Sequence, residues 1–481
     1  MTLTIVIAYY VLLLVVSRIT SRQASNNTFF SANKRSPWLA VAFGMLGASL
    51  SGVTFVSVPG MVESSDMTYL QMCIGFIPGY LIVAFVLLPL YYRLRLTSIY
   101  TYLQQRFDAV TYRTGASFFL LSKMLGAAVR IYLVVLILQR LVFDSWGVPF
   151  GVSTVILLLL IWVYTRKGGI GTIVWTDCLQ TVVLLAALVL ILYSITSDEG
   201  YSLTDTVRAI AADEHSRIFV FDNWTSPQYF WKQLLSGAFI VVVMTGLDQD
   251  MMQKNLTCRD LRSAQKNMVL NSVLYLPANL LFLSLGVLMY AYIAHHGLQI
   301  DAHGDDVLPM LCASGALGTA TIGIFTLGIV AAAFSSADSA LTSLTTSVCI
   351  DIYGRYDDVR LRRRVHIVVV CVMLLIILAF RALNNHSVIN AVYIIASYTY
   401  GPLLGLFTFG LFVPSKVRPR PHAVPWICIA APCLCYALSY SAARWWNYHF
   451  GYELLIINGL LTMLGLFLSR LHSGIRPSAS H

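Results

Sequence analysis

Charge is what this 481-residue sequence has least of: 11% of it is Asp, Glu, Lys or Arg, where a soluble domain carries about 25%. So few charges cannot coat a water-facing surface, which excludes a soluble enzyme. The 58% hydrophobic content likewise excludes a disordered chain. The apolar stretches lack the two-residue alternation of a transmembrane β-barrel, whose strands run about ten residues. They run unbroken for about 20 residues, the length of a membrane-crossing helix. Cysteine chemistry is missing too. The nine cysteines contain no CxxC and lie mostly inside apolar runs. Cys433 and Cys435 are two residues apart, so on a helix they point in different directions. All nine read as small packing residues, neither disulfides nor metal ligands.

What is present is an all-α polytopic membrane pattern. Thirteen hydrophobic segments fall near 2–17, 37–62, 68–92, 113–143, 147–165, 170–195, 230–250, 267–294, 308–352, 365–383, 388–413, 424–440 and 452–470. Leu3 to Val16 has no Lys or Arg before it and no A-x-A site after it, so it reads as a retained helix. The segment 308–352 is too long for one crossing and is expected to include an external re-entrant or interfacial piece.

The net charge of +10 would suit a nucleic-acid binder if it were clustered on one surface. It lies instead in short loops, and 24 of the 32 basic residues fall on alternate sides of the segments. Arg18, Arg22, Lys34, Arg35, Lys254, Arg259, Arg470 and Arg476 are among them. The positive-inside rule then puts the N-terminus outside and the C-terminus in the cytoplasm of a plasma or inner membrane. A nucleic-acid partner is not expected, and the chain is read as a monomer in the lipid bilayer.

Five segments over 37–195 and five over 230–413 have opposite topology. Residues 1–36 supply an extra helix and loop before them, 196–229 form an acidic external loop, and 414–481 hold two further helices and a tail. Inverted repeats with a site at their interface are the plan of many secondary transporters. Any odd-numbered block gives this inversion, so the polar residues must decide. The segment 37–62 contains Gly44, Gly47, Ser49, Ser51, Gly52, Thr54, Pro59 and Gly60. Such residues either let helices pack closely or mark a discontinuous helix lining a site.

In 308–352, Ser335, Ser339, Thr342 and Thr346 recur at helical spacing, with Ser336 and Asp338 beside them. They either bond back to their own helix or offer hard oxygen donors to a monovalent cation. Intramembrane charges mark function by default. Asp177 lies one turn from Gln180 on the segment after Gly168-Gly169. Arg130 lies midway along 113–143, either in an ion pair with Asp177, Asp338 or Asp248, or open to a ligand. Lys123, two turns earlier, is near enough to the cytoplasm to snorkel. The run Gly246-Leu247-Asp248-Gln249-Asp250 to Lys254 reads most simply as a polar helix exit into a basic loop. The histidines, His295 and His296 included, lie mostly in loops or at helix ends and are given no role.

With these residues in view, the chain resembles the sodium/solute symporter family over roughly 1–470. The marks are Gly168-Gly169 with Trp175-Thr176-Asp177 and Gln180, Asp248-Gln249 with Gln253, and Ala332-x-x-Ser335-Ser336 followed by Asp351-Ile352-Tyr353. The resemblance implies 13 transmembrane helices: a LeuT-type 5+5 inverted repeat with one helix before it and two after. It also implies solute uptake coupled to Na+ influx. The shared sodium site would use carbonyls near Gly47, Leu50 and Ala332 with the hydroxyls of Ser335 and Ser336. A second sodium site in some members matches Asp177, Ser335 and Ser339. Asp338 stands where many members have Ser or Thr, and would either strengthen that site or exchange a proton.

For the solute, Val53 argues against a galactose-like pocket. Members that take sialic acid hold its carboxylate with an arginine matching Arg130 and hydroxyls matching Ser51 and Thr54. Gln71 is a further candidate contact. Asp248 stands where sugar carriers often have Asn and would repel an anion if close and ionised. The expectation is a sodium-coupled importer of a small carboxylate-bearing solute, N-acetylneuraminate first. The alternatives are another organic acid, a neutral sugar or polyol, or an amino acid. A sensor would need a signalling domain, and none is expected after Arg470. A membrane hydrolase would need a paired base and nucleophile, and no such set is found within the apolar segments.

Overall fold

Lipid cannot hydrogen-bond bare N–H and C=O groups, so long apolar runs satisfy them internally as helices. The computed structural model describes residues 2–21, 25–383 and 388–471. Arg22 and Arg476, counted above as loop charges, lie outside the described residues. Among the described residues no sheet forms; one isolated bridge joins Ser36 to Cys258.

The chain starts with α1 (Thr2–Thr20) and the short α2 (Asn26–Ser31). Next come α3 (Trp38–Ser49), α4 (Gly52–Gly60), α5 (Tyr69–Ile82), α6 (Ala109–Leu138), α7 (Phe150–Gly168) and α8 (Ile170–Asp198). After the loop follow α9 (Phe230–Val241), α10 (Gln249–Asn255), α11 (Leu261–His295), α12 (Val307–Ser314), α13 (Thr319–Ser347), α14 (Val359–Leu383), α15 (Val388–Thr399) and α16 (Gly401–Phe412). The last two are α17 (Val424–Trp446) and α18 (Leu454–Leu471). Among the described residues seven helices are long and apolar enough to cross a membrane, or ten if each of three bent pairs is one span. Shorter apolar helices fall within α1, α7 and α18.

The long segment at 308–352 divides into α12 and α13, because Gly315 and Gly318 turn the chain with φ of +79° and +86°. Those angles suit glycine and few other residues. The bent pairs matter most for function. α3 and α4 meet at 52°, and α9, extended by one wide turn to Gly246, meets α10 at 69°. Each bend opens one five-helix block, so the two interruptions occupy corresponding positions. The third pair, α15 and α16, bends by 44° just before Pro402.

The second bend corrects the reading of 246–254 as an exit into a loop. Residues 249–255 form a buried helix, and every one of them is shielded from solvent. Here the polar side chains replace lost ladder bonds. Gln249 donates to the Thr97 carbonyl at 2.9 Å and accepts from the Ile99 N–H at 2.9 Å. Gln253 donates to the Phe30 carbonyl at 2.8 Å. Tyr91 and Tyr100 donate to the freed carbonyls of Gly246 and Leu247 at 2.9 and 2.8 Å. Asp351 is likewise an anchor, accepting from Tyr112 on α6 at 2.9 Å.

Small residues let the helices approach closely. α8 packs along both α3 and α13, and α5 packs along α9. A Cβ added at Gly75 would stand 2.2 Å from the Leu234 carbonyl oxygen, so α5 and α9 meet backbone to backbone. At Gly126 an added Cβ meets nothing within 4 Å. Gly75→Ala is therefore expected to lower the melting temperature of the purified protein, at an overpacking cost of about 1–3 kcal/mol. Gly126→Ala is expected to leave it unchanged or raise it. Equal melting temperatures for wild type and Gly75→Ala would contradict this packing.

Candidate functional site

The breaks in α3–α4 and α9–α10 face a cavity of about 100 Å³. One water needs about 10–15 Å³ on that measure, so the space suits a water cluster or a small solute. Ser51, Val53 and Thr54 reach it from the start of α4, Lys123 and Arg130 from α6, and Asp248 and Asp250 from the second break. Ser336 on α13 and Tyr400 at the third bend also line it.

Most of these charges are already matched. The Lys123 ammonium lies 2.6 Å from Asp250 and 3.3 Å from Asp248. It is 6% exposed, so it does not snorkel to the cytoplasm. Asp248 also accepts from the Tyr400 hydroxyl at 2.5 Å and caps α10 by accepting from the Asp250 N–H at 2.8 Å. That is why Asp248 can line the cavity without presenting a bare negative charge.

Arg130 differs. Among the described residues its guanidinium makes no ion pair or hydrogen bond, although it lines the cavity. Of the two readings of Arg130, the ion pair with Asp177, Asp338 or Asp248 is not formed among the described residues, and each of these acids has another partner. Among the described residues the Ser51 and Thr54 hydroxyls have no partner either, and both line the same cavity. Gln71 does not join them. It is fully buried, donates to the Gln228 carbonyl at 2.9 Å and accepts from the Val220 N–H at 3.0 Å. Its amide pins the external loop, which corrects its reading as a solute contact.

The proposed ion ligands lie next to the cavity. Leu50 ends α3 with φ −82° and ψ 78°, outside helical geometry. The carbonyls in the last turn, Gly47's included, are thereby released from the helical ladder. Gly47 itself is forced by contact: a Cβ there would lie 1.9 Å from the Thr181 hydroxyl of α8. Thr181 donates to the Phe43 carbonyl at 2.8 Å, tying the two helices. On α13, which packs against α3 and α4, Ala332, Ser335, Asp338 and Ser339 are buried. The Ser336 and Thr342 hydroxyls are buried with no partner among the described residues. Unpartnered hydroxyls and released carbonyls are hard oxygen donors, the kind Na+ takes.

The second expected ion set is divided. Ser335 donates to Asp177 Oδ1 at 2.7 Å, but Lys254 Nζ stands 2.7 Å from Asp177 Oδ2. Ser339 donates to Asp338 at 3.2 Å, and Tyr164 donates to the other Asp338 oxygen at 2.7 Å. Lys254 is 1% exposed. Its place in the count of loop charges is therefore corrected: it is a buried cation of α10. Lys254, Asp250, Lys123, Tyr164 and Tyr400 were all missed as site residues. The i, i+4 pair Asp250 and Lys254 was the available signal, since a basic loop has no need for matched acids at helical spacing.

Three comparisons bear on this geometry. A family model described as the sodium:solute symporter family matches residues 29–418. The sodium/sialic acid symporter NanT of Aliivibrio fischeri is 28% identical over 406 residues, 82% of this chain and 79% of that protein. The human sodium/iodide cotransporter is 26% identical over 414 residues, 82% of this chain and 63% of that protein. A solved structure of a Na+-coupled sialic acid symporter, substrate-bound and outward-open, superposes with a TM-score of 0.83 at 23% identity, covering 98% of each chain. At that identity the likeness is one of fold, and the fold is of the LeuT type.

Removing one partner of a buried ion pair leaves an uncompensated charge, at a cost of about 3–5 kcal/mol. Lys254→Met should therefore lower the melting temperature strongly, and adding Asp177→Asn should recover most of the loss. A single variant as stable as wild type would show that Lys254 and Asp177 are not paired.

Proposed function

The chain belongs to the sodium:solute symporter family, whose members are sodium-coupled transporters and not enzymes, and on that premise we propose that it imports a carboxylate-bearing solute, N-acetylneuraminate first. The carrying observation is that Arg130, with no partner among the described residues, lines the same cavity as the hydroxyls of Ser51 and Thr54. A guanidinium stays protonated and presents a planar fork that fits a carboxylate through two hydrogen bonds. Arg130 would bind the carboxylate, and the Ser51 and Thr54 hydroxyls would donate to its oxygens. Asp248, held by Lys123 and Tyr400, would shape the opposite wall. NanT, named as a sodium/sialic acid symporter, supports the choice of solute.

In this reading Na+ binds at the released carbonyls of Gly47 and Leu50, with the Ala332 carbonyl on α13 and the hydroxyls of Ser335 and Ser336. Ser336 also lines the solute cavity, and Ser51 follows Leu50 directly at the break. Ion and solute would thus order the same interruption, which is how binding of one favours the other. Asp177, Asp338 and Ser339 form the adjacent polar cluster, with Lys254 supplying its cation. Thirteen crossings are proposed, arranged as 37–195 and 230–413 with one helix before and two after. The N-terminus would lie outside and the C-terminus in the cytoplasm, in the plasma or inner membrane, with the chain acting as a monomer.

Uptake of labelled N-acetylneuraminate into proteoliposomes should require an inward Na+ gradient and fail with K+ or choline at the same pH. Ser335→Ala with Ser336→Ala should abolish the Na+ requirement's effect by abolishing driven uptake, while insertion persists because alanine suits a helix. Arg130→Ala should weaken solute binding about 30-fold or more, and Arg130→Lys should recover part of it. Equal uptake with and without Na+ would overturn the ion assignment. Na+-driven uptake of another organic acid, with none of N-acetylneuraminate, would keep the carboxylate reading and replace the solute.

A further inference from the structure

A second cavity, of about 600 Å³, shares no lining residue with the solute site. It is walled by the end of α1, by α2, and by α7 and α14, the fourth helices of the two blocks. Arg166, Arg362 and Arg363 line it, and none of its lining residues is acidic. Loop arginines are ordinarily solvated, and such a cluster would then mean no more than membrane orientation.

Arg362 does not fit that account. It is 6% exposed, and its Nε is buried with no hydrogen-bond partner among the described residues. Its Nη1 donates to the Asn26 side chain at 2.7 Å, and its guanidinium lies 4.4 Å from the centre of the Phe29 ring. Among the described residues it has no carboxylate partner. Arg166 is oriented in the same way, with its guanidinium 5.0 Å from the Trp162 ring centre. The arginines are therefore held in place by aromatic faces and a neutral amide, with their charge left for something else.

The geometry points to a binding site for a phosphate group carried by an anionic membrane lipid. Arginine forks match phosphate oxygens, and basic pockets between membrane helices bind acidic headgroups. The source is argued from the rim: Val359 and Ile367 line the cavity and are 39% and 48% exposed, and Val368 beside them is 58% exposed. An apolar edge next to a triple-arginine pocket suits acyl chains below a headgroup, where a free phosphate would want polar surroundings. A lipid held there would bridge α2, which lies outside both repeats, to one helix of each repeat.

The test is native mass spectrometry of the purified full chain titrated with palmitoyl-oleoyl phosphatidylglycerol or with the matching phosphatidylcholine. Inorganic phosphate is added in a parallel melting-temperature series. Wild type should retain one phosphatidylglycerol per chain, saturably and in preference to phosphatidylcholine. Arg166→Gln with Arg363→Gln, both at exposed positions, should weaken retention about tenfold or more. Arg362→Gln should do the same where it folds. Equal retention of the two lipids, or unchanged phosphatidylglycerol retention in the double variant, would overturn the site. Stabilisation by inorganic phosphate without preference for phosphatidylglycerol would overturn the lipid source in favour of a soluble phosphate.

Discussion

A lysine ammonium inside a membrane protein needs a carboxylate beside it, because insertion of an isolated charge is costly. Two such lysines flank one short helix here. Lys254 leaves α10 to meet Asp177 on α8 at 2.7 Å, and Asp250 on α10 meets Lys123 on α6 at 2.6 Å. These contacts hold a seven-residue helix, too short to be stable alone, between the two repeats. They also decide what the cavity can bind. With Lys123, Arg130, Asp248 and Asp250 ionised, the four formal charges of the cavity balance. Both carboxylates face Lys123 or Tyr400, and Arg130 is left with an unmatched fork. An anion entering this cavity meets a donor set that nothing in the described protein has claimed.

The interruption of α3 follows from the same economy of backbone groups. Its last turn gives up ladder bonds at Gly47 to Leu50, and α8 closes over it through Thr181. Among the described residues, the Ser336 and Thr342 hydroxyls of α13 have no partner either, and Ser336 lines the cavity. In the proposed cycle the two ligands share this break, and neither site needs a residue that the other must surrender.

Much of this was legible in the sequence, and the reasons differ by residue. Glycine, proline and serine in 37–62 allowed either close packing or a broken helix, and the 52° bend between α3 and α4 decides for the break. The stripe at Ser335, Ser339, Thr342 and Thr346 announced a polar face because helical spacing is regular. Chain membership followed from motifs such as Gly168-Gly169 and Asp248-Gln249. Partner choice among the buried charges was not legible. Sequence position placed Lys254 in a loop because Arg259, Arg262 and Lys266 follow it, and only the 69° bend turns it inward. Gln71 shows the opposite error. A polar residue in an apolar helix suggests a ligand contact, yet its amide was committed to loop carbonyls and N–H groups that are distant in sequence.

The central claim is that Arg130 is the carboxylate receptor. The direct measurement is calorimetric binding of N-acetylneuraminate and of its carboxamide analogue to purified wild-type protein in saturating Na+. The amide keeps the shape and removes the charge. Loss of a buried charged partner costs about 2–5 kcal/mol, so the acid should bind about 30-fold tighter or more. Equal dissociation constants for the acid and the amide would contradict the account.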